Sequence, residues 1–482
     1  MKNLFTTSDS FAIVILSFVA LFTRLWLIAD PDQITFDEVH FGNFTNWYIK
    51  KEFFFDIHPP LGKMIMAAIA DLTQYKGDID YGSKFGQSYH HNELFFVSQR
   101  ITPAIFSAMT SPLIYAACRC LSFSTLSSFC AGIILTSDIS LIVEGKFILS
   151  DGVLHFFVAL HIFTLCLFLS KSTLFRTLIC GFTLGCAAAC KYTALGLYAI
   201  DGMSQLVWIF VSVPKLSQVI KRALLLLIPS FVAFLGAWIW HFIILYYTGH
   251  NSEYLYPEYS ATIFSKEKEP FYYWGDRLIG SSLLERIANW NVVMNNINMR
   301  SDIPHPFESQ PIYWPLLMDK WIGFLSIAGS RNIECMGTPF VYWFVFLGLV
   351  LTIFALPFRK ADWRNLLFCW GWMVSYFPFI LVPRTMFLYH YLIPLMFGIL
   401  NLVALIENAF PKEIRSAVVL MVTILCFLCF IFFSPWAYGI RCPDCKDTRM
   451  WTERWLHGPP KTVHTYGVEI FNTTEKYRTL PL

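Results

Sequence analysis

Two adjacent carboxylates, Asp37 and Glu38, stand in the run Thr-Phe-Asp-Glu-Val-His just after an apolar stretch. His40, Asp56, His58, Pro59, Pro60 and Lys63 crowd the same short segment. Neighbouring side chains point in different directions on a helix or a strand. One acid can therefore face a substrate while the other holds a cation. A carboxylate in such a place can act as general base toward a hydroxyl. The plainer alternative is an acidic pair at the start of a helix, where the helix dipole favours it. The two prolines after His58 fix the backbone and present the imidazole on a stiff turn, whether for substrate or for structure alone.

Cations gather around other apolar runs. Arg24 ends the first run and Arg100 begins the second; Lys191 separates two later runs, and Arg384, His390 and Tyr391 open another. Snorkelling to a membrane surface explains any one of them. Together they suit a phosphate, which takes Arg forks and Lys point charges. His155, His161 and His241 lie inside apolar runs, where packing is the expected role. No His/Cys/Asp set has metal-ligand spacing, and no phosphate-binding loop, nucleophile elbow or HExxH motif occurs. No metal and no nucleotide cofactor is expected. Most cysteines lie in apolar runs and read as small hydrophobes. Cys442 and Cys445 sit in a polar tail, as a local disulfide or as two free thiols.

The elements that must hold these residues are membrane helices. The 482 residues are 56% hydrophobic and 14% charged, with a mean hydropathy of +0.52. Soluble domains run at about 45–50% apolar and about 25% charged. Nothing resembles a nucleic-acid-binding patch. About eleven spans are expected, near 9–29, 99–119, 124–143, 147–170, 177–191, 193–212, 222–247, 338–357, 363–382, 387–406 and 414–435. With Lys2 in the cytosol, Arg119, Lys171, Arg176, Lys215, Lys221, Arg222, Arg359, Lys360, Arg364, Lys412 and Arg415 all fall on cytosolic connections. The first run reads as a signal anchor. Three polar segments then lie on the opposite side: 30–97, 248–337 and 436–482. In the first, Asp37 to Lys51 and Pro60 to Ala70 read as helices along the membrane, joined by an aromatic turn at Phe53–Pro59. The chain thus divides into a module of seven spans (1–247) containing the acidic loop, a long loop (248–337), a module of four spans (338–435) and a tail (436–482). Sequons stand at Asn43 and Asn472.

The stretch Ile34-Thr-Phe-Asp-Glu-Val-His-Phe-Gly, followed by Phe54-Phe-Asp-Ile-His-Pro-Pro-Leu-Gly-Lys63, closely resembles the first luminal loop of the dolichyl-phosphate-mannose–protein mannosyltransferases. These are protein O-mannosyltransferases of the GT-C superfamily. Arg24-Leu-Trp26, Arg100 with Thr102-Pro103, and Phe147-Ile-Leu-Ser-Asp151 resemble the ends of the family's early spans. His305-Pro306, Ser309, Pro311 and Trp314-Pro315 resemble its H-P-x-x-S-x-P-x-x-W-P segment. Gly337-Thr-Pro339 and His390-Tyr-Leu392 fit its later spans. The loop 248–337 is too short for the β-trefoil MIR domain of most eukaryotic members, so a form without that domain is expected.

The resemblance implies an all-α polytopic GT-C fold in the endoplasmic reticulum membrane, with a cytosolic N-terminus and a luminal C-terminus. It implies mannose transfer from dolichyl phosphate mannose to Ser/Thr hydroxyls of secretory proteins, by a homo- or heterodimer of family members. Phosphate leaves readily when cations stabilise it, so one base and several cations suffice, unlike the paired acids of glycosidases. A single displacement inverts the sugar. Asp37 is then the base, and Glu38 positions it, the acceptor or an arginine. Arg100, Lys191, His390, Tyr391 and Arg24 are candidates for the donor phosphate or sugar. His58, Pro59, Pro60 and His305 belong to the structural or acceptor loops. Two other readings stand beside this one: a GT-C enzyme that builds a lipid-linked glycan, and a catalytically silent partner subunit. A transporter is disfavoured, because its acids are expected mid-membrane and here they crowd a loop.

Overall fold

The computed structural model describes residues 6–82, 86–89, 93–250, 282–300, 305–327, 329–382 and 384–457. The sequon at Asn472 lies outside them, as do parts of the long loop and the tail. Helices occupy all eleven segments expected to span. They are α1 (Thr7–Leu25), α4 (Glu93–Cys120), the pair α5 (Thr125–Thr136) and α6 (Ile139–Lys146), α7 (Asp151–Ser170), α8 (Leu174–Cys190), α9 (Gly196–Ser212), α10 (Leu216–Ile244), α12 (Pro339–Ala355), α13 (Trp363–Tyr376), α14 (Leu392–Ala409) and α15 (Lys412–Tyr438). Among the described residues, seven helices are long and apolar enough to cross a membrane, or eight with the bent pair. Helices α8, α12 and α13 are shorter, at 17, 17 and 14 residues. Large apolar side chains such as Phe231, Val232 and Trp240 on α10 are exposed, a surface that only lipid can cover at low cost. The chain is a multi-pass membrane protein.

The third span departs from expectation. Instead of one helix over 124–143, the chain breaks at Ser137–Asp138 and bends by 63° between α5 and α6. Asp138 caps α6, accepting the Leu141 amide at 2.9 Å and the Thr338 amide at 3.1 Å, while Ser137 O accepts Thr338 Oγ1 at 2.7 Å. A break within a membrane is tolerable only where protein satisfies the freed backbone groups. Thr338, just ahead of α12, does that here.

The acidic loop folds as its pattern suggests. Helix α2 (Glu38–Lys50) begins directly after Asp37, and α3 (Leu61–Leu72) begins after Pro60, which sits one residue before the first turn rather than in it. Between them the aromatic turn contains a short strand, β1 (Glu52–Phe54), paired in parallel with β2 (Tyr247–His250) after α10. Tyr48 OH meets His241 Nδ1 at 2.6 Å, which ties α2 to α10 and gives that buried histidine a structural task. After α11 (Leu283–Arg300), the segment 305–316 docks over the start of α14. Ser309 donates its amide to Met386 O at 2.9 Å, Trp314 Nε1 bonds Ser309 Oγ at 2.9 Å, and Trp314 stacks on His390. A hairpin of β3 (Ile322–Ile327) and β4 (Arg331–Cys335) leads into α12. Cys442 and Cys445 are joined as a disulfide.

Helix α8 carries Lys191 at its end and packs closely on α10. A Cβ at Gly181 or Gly185 would lie 2.1 Å from the carbonyl oxygen of Leu226 or Ser230. This is a small-residue interface one turn apart, of the kind that lets membrane helices approach backbone to backbone. Gly185→Val is expected to force these helices apart and lower stability by more than about 2 kcal/mol. Thermal unfolding of the detergent-solubilised protein measures this, and an unchanged midpoint would contradict the close packing.

Candidate functional site

Asp37 and Glu38 divide their labour by direction. Glu38 is fully buried and fully bonded. Its Oε1 accepts Arg100 Nε at 2.8 Å and the Ile148 amide at 3.0 Å; its Oε2 accepts Arg100 Nη2, the Thr35 amide and Tyr89 OH, each at 2.8 Å. Arg100 spends its other hydrogens on the carbonyls of Ile28, Pro31 and Gln33. Its guanidinium lies among the rings of Tyr89, Phe96 and Phe147. Asp37 stands outside this knot. Its carbonyl takes the first α2 amides, and its carboxylate has no hydrogen bond among the described residues.

The Asp37 side chain faces a cavity of about 310 Å³. Aromatic rings of Phe36, Phe41, Phe44, Trp47, Phe55 and Tyr389 form much of its wall, and the polar groups are Asp37, His40, Asp56, His58, Glu144, Asp151 and Lys191. Lys191 sits in extended backbone where α8 ends and a 3-10 turn begins. Its ammonium reaches Asp151 Oδ1 at 3.0 Å and lies over the Tyr389 ring. Asp151 is the first residue of α7, a favourable place for an anion. Lys63 bonds the Asp56 carboxylate and, at 2.8 Å, the His58 carbonyl, which fixes the turn carrying the imidazole. Burial pushes the Asp37 carboxyl up to about 6, against the pull of His40 and Lys191 and with the push of Asp151 and Asp56. Burial, with the cations of Lys191, Lys63 and Arg384 around it, holds the His58 imidazole well below its usual range and therefore neutral.

A second cavity, about 830 Å³, meets the first at Ile57, His58 and Lys191. It runs as a largely apolar groove between α9 and α13, past Leu195, Ala199, Met373, Phe377, Leu381 and Val382. Arg384 and His390 stand at its polar end. Arg384 bonds Asn298 on α11, and His390 Nδ1 lies 2.9 Å from Phe387 O.

Of the residues singled out by sequence, Asp37, His58, Lys191 and His390 converge on these two joined cavities. Others stand elsewhere. Glu38, grouped with Asp37 as catalytic, lines neither cavity; it holds Arg100, which is the alternative expected of it, that of positioning an arginine. Arg100 cannot hold a donor phosphate, because its fork is consumed by Glu38 and three carbonyls. Arg24 is also fully buried, bonded to Thr23 and Ser107 and to Thr136 O. Tyr391 is fully buried, its hydroxyl accepting Trp372 Nε1 at 2.8 Å. Pro59 and Pro60 are buried and shape the turn. His305 packs edge-on against Phe387 and lines neither cavity.

Sequence reasoning missed Glu144 as a site residue and treated Asp151 only as part of a motif. The available signal was an acid within an apolar run, which marks function by default in a membrane. Spacing could not reveal another convergence: His161, Cys180 and Asp201, from α7, α8 and α9, bring their donor atoms within 4.8 Å of one another. There His161 Nε2 stands 3.2 Å from Asp201 Oδ1, and the Cys180 thiol 3.8 Å from Asp201 Oδ2. These groups face one another where the three helices pack together. Acids are thus not confined to the loop, and the argument against a transporter from their absence elsewhere does not hold.

The helices and the acidic loop beneath them form a GT-C fold. The protein O-mannosyltransferase Pmt1-Pmt2 complex of Saccharomyces cerevisiae, solved bound to the sugar donor, superposes with a TM-score of 0.84 at 18% identity, covering 99% of this chain and 95% of that one. The Archaeoglobus fulgidus oligosaccharyltransferase matches more loosely, at a TM-score of 0.52 and 11% identity over 89% of this chain and 53% of that one. In sequence, the family model for dolichyl-phosphate-mannose-protein mannosyltransferase matches residues 14–247, and that for the C-terminal four-span region of protein O-mannosyltransferase matches 283–457. The chain belongs to the protein O-mannosyltransferase family. Relatives include dolichyl-phosphate-mannose--protein mannosyltransferase 4 of Candida albicans, 29% identical over 52% of this chain and 35% of that protein. Mannosyltransferase 3 of Saccharomyces cerevisiae is 34% identical over 39% and 26%. The chain spans about a third or less of the length of these curated relatives.

The knot around Glu38 sets a stability test. Glu38→Gln is expected to cost about 3–5 kcal/mol, because it strands a buried guanidinium. Arg100→Lys loses the two-pronged geometry and is expected to destabilise as well. Asp37→Asn, which breaks no bond, is expected to leave the unfolding midpoint where it is. The three midpoints in one detergent decide it.

Proposed function

We propose that this chain transfers mannose from dolichyl phosphate mannose to Ser/Thr hydroxyls of proteins in the secretory pathway. The observation that carries this reading is the joined pair of cavities: a polar, aromatic-walled chamber with one unbonded carboxylate, opening past a lysine into an apolar groove between helices. A sugar fits the first, a polyprenyl chain fits the second, and the phosphate between them falls beside Lys191, with Arg384 and His390 near. The curated relatives carry names that state mannose transfer from dolichyl phosphate mannose to protein, which supports the same donor here.

Asp37 takes the proton from the acceptor hydroxyl as the oxygen attacks the anomeric carbon. The bond from the anomeric carbon to the phosphate oxygen breaks, its electron pair leaves with dolichyl phosphate, and the monoanionic diester becomes a dianionic monoester whose added charge Lys191 stabilises. No general acid is needed, because phosphate leaves as an anion. His58, held neutral, can hydrogen-bond the acceptor or the sugar without adding charge. Attack opposite the leaving group inverts the anomeric centre. Glu38 and Arg100 act as positioning residues: they set the start of α2 and hence the aim of Asp37.

The cellular setting follows the same reading: the endoplasmic reticulum membrane, with the N-terminus cytosolic and the acidic loop luminal. A second family member is the expected partner, since the neighbouring yeast structure is a complex of two.

The test uses membranes containing this chain as their sole family member, labelled dolichyl phosphate mannose and a Ser/Thr-rich peptide. The native chain is expected to label the peptide, and Asp37→Asn is expected to lose at least about 10²-fold in rate, the usual scale for removal of a general base. Equal rates would remove Asp37 from the role; no transfer, even with a second family member supplied, would overturn the reading.

The pH profile gives an independent check. The base works only when deprotonated, and its titration is shifted up to about 6. Transfer is expected to hold from pH 7 upward and to fall about tenfold per unit as pH drops below 6. A rate that stays flat down to pH 4.5 would contradict it.

A further inference from the structure

Glu144 belongs to α6, the short helix after the broken third span, and it lines the same chamber as Asp37. It is only 2% exposed. Its one hydrogen bond among the described residues comes from the Cys335 thiol, 3.6 Å from Oε1. It makes no ion pair there. Lys191, which lines the same chamber, pairs with Asp151 at 3.0 Å and not with Glu144. The helix cannot easily turn it away, because α6 is clamped against α4; a Cβ at Gly145 would meet Ser107 Oγ at 2.3 Å. A buried carboxylate whose bonding capacity the fold leaves largely unused is expensive to maintain. In this chamber it has one evident use.

We infer that Glu144 is a sugar-binding residue of this chain, accepting hydrogen bonds from hydroxyls of the donor pyranose. The inference rests on the proposed reaction and says how the chamber tells a sugar-bearing carrier from a bare one. A carboxyl group can hydrogen-bond two sugar hydroxyls at once, one at each oxygen. So it fits the neutral, hydroxyl-rich end of the donor, with aromatic rings such as Trp47 and Tyr389 against the apolar faces of the sugar. The phosphate then lies toward Lys191. Asp37, whose carboxylate makes no hydrogen bond among the described residues, remains for the acceptor. The two acids in one chamber have separate duties: one holds the sugar, the other takes the proton.

The experiment measures direct binding of two lipids to the purified full-length protein, dolichyl phosphate mannose and dolichyl phosphate, for the native chain, Glu144→Gln and Glu144→Leu. The native chain is expected to prefer the sugar-bearing lipid. Glu144→Gln is expected to weaken that lipid about tenfold, the scale of one lost buried hydrogen bond, and Glu144→Leu more. Binding of the bare dolichyl phosphate is expected to stay the same or improve, which also shows that both variants are folded. If both variants keep the native preference for the sugar-bearing lipid, the inference falls while the proposed reaction stands. If both lipids weaken equally, Glu144 only supports the fold, and the inference falls again. If the native chain does not distinguish the two lipids, the inference and the proposed donor fall together.

Discussion

The arrangement around the site depends on one buried ion pair. Arg100 comes from α4, Glu38 from the first residue of α2, and the bonds they complete reach Ile28, Pro31, Gln33, Thr35, Tyr89 and Ile148. Removing two charges from water is tolerable only when nearly every lone pair and hydrogen finds a partner, and here that condition is met almost completely. The consequence is geometric. The start of α2 has one allowed position relative to the membrane helices, and Asp37, one residue earlier, inherits it. A free carboxylate is held still by its bonded neighbour.

Much of this was legible in the amino-acid order. Apolar runs of about twenty residues and the placement of Arg and Lys between them gave the spans, because both signals answer to the bilayer and need no tertiary knowledge. The two loop helices were legible from caps and prolines. That adjacent acids must diverge was legible too, and Glu38 and Asp37 do so. Residue types alone did not say which acid was free, since that depends on an arginine 62 residues from Glu38; only the family resemblance pointed to Asp37. The same limit explains Arg100, Arg24 and Tyr391. A residue type suited to phosphate says nothing about whether its hydrogens are already spent, and in a densely packed bundle they were. Lys191 was legible as a lone cation at a helix break; its partner Asp151, 40 residues back, was not.

The broken third span was hidden for a related reason. Residues 124–143 read as continuous apolar helix, and the break at Asp138 became affordable only because Thr338, 200 residues later, fills the vacated bonds. The bend carries Glu144 into the chamber. Hydropathy averages over such a residue, while the fold gives it an address.

The neck at Ile57, His58 and Lys191, where chamber and groove meet, has a further consequence. On the proposed reading, the scissile bond is located by this constriction and not by the far end of the carrier. The groove runs between α9 and α13, and on that reading isoprene units beyond the first few lie in the bilayer, unmeasured. Carriers of different chain length therefore present the same reacting geometry, and the protein meets a polymer of variable length as though it were a small molecule.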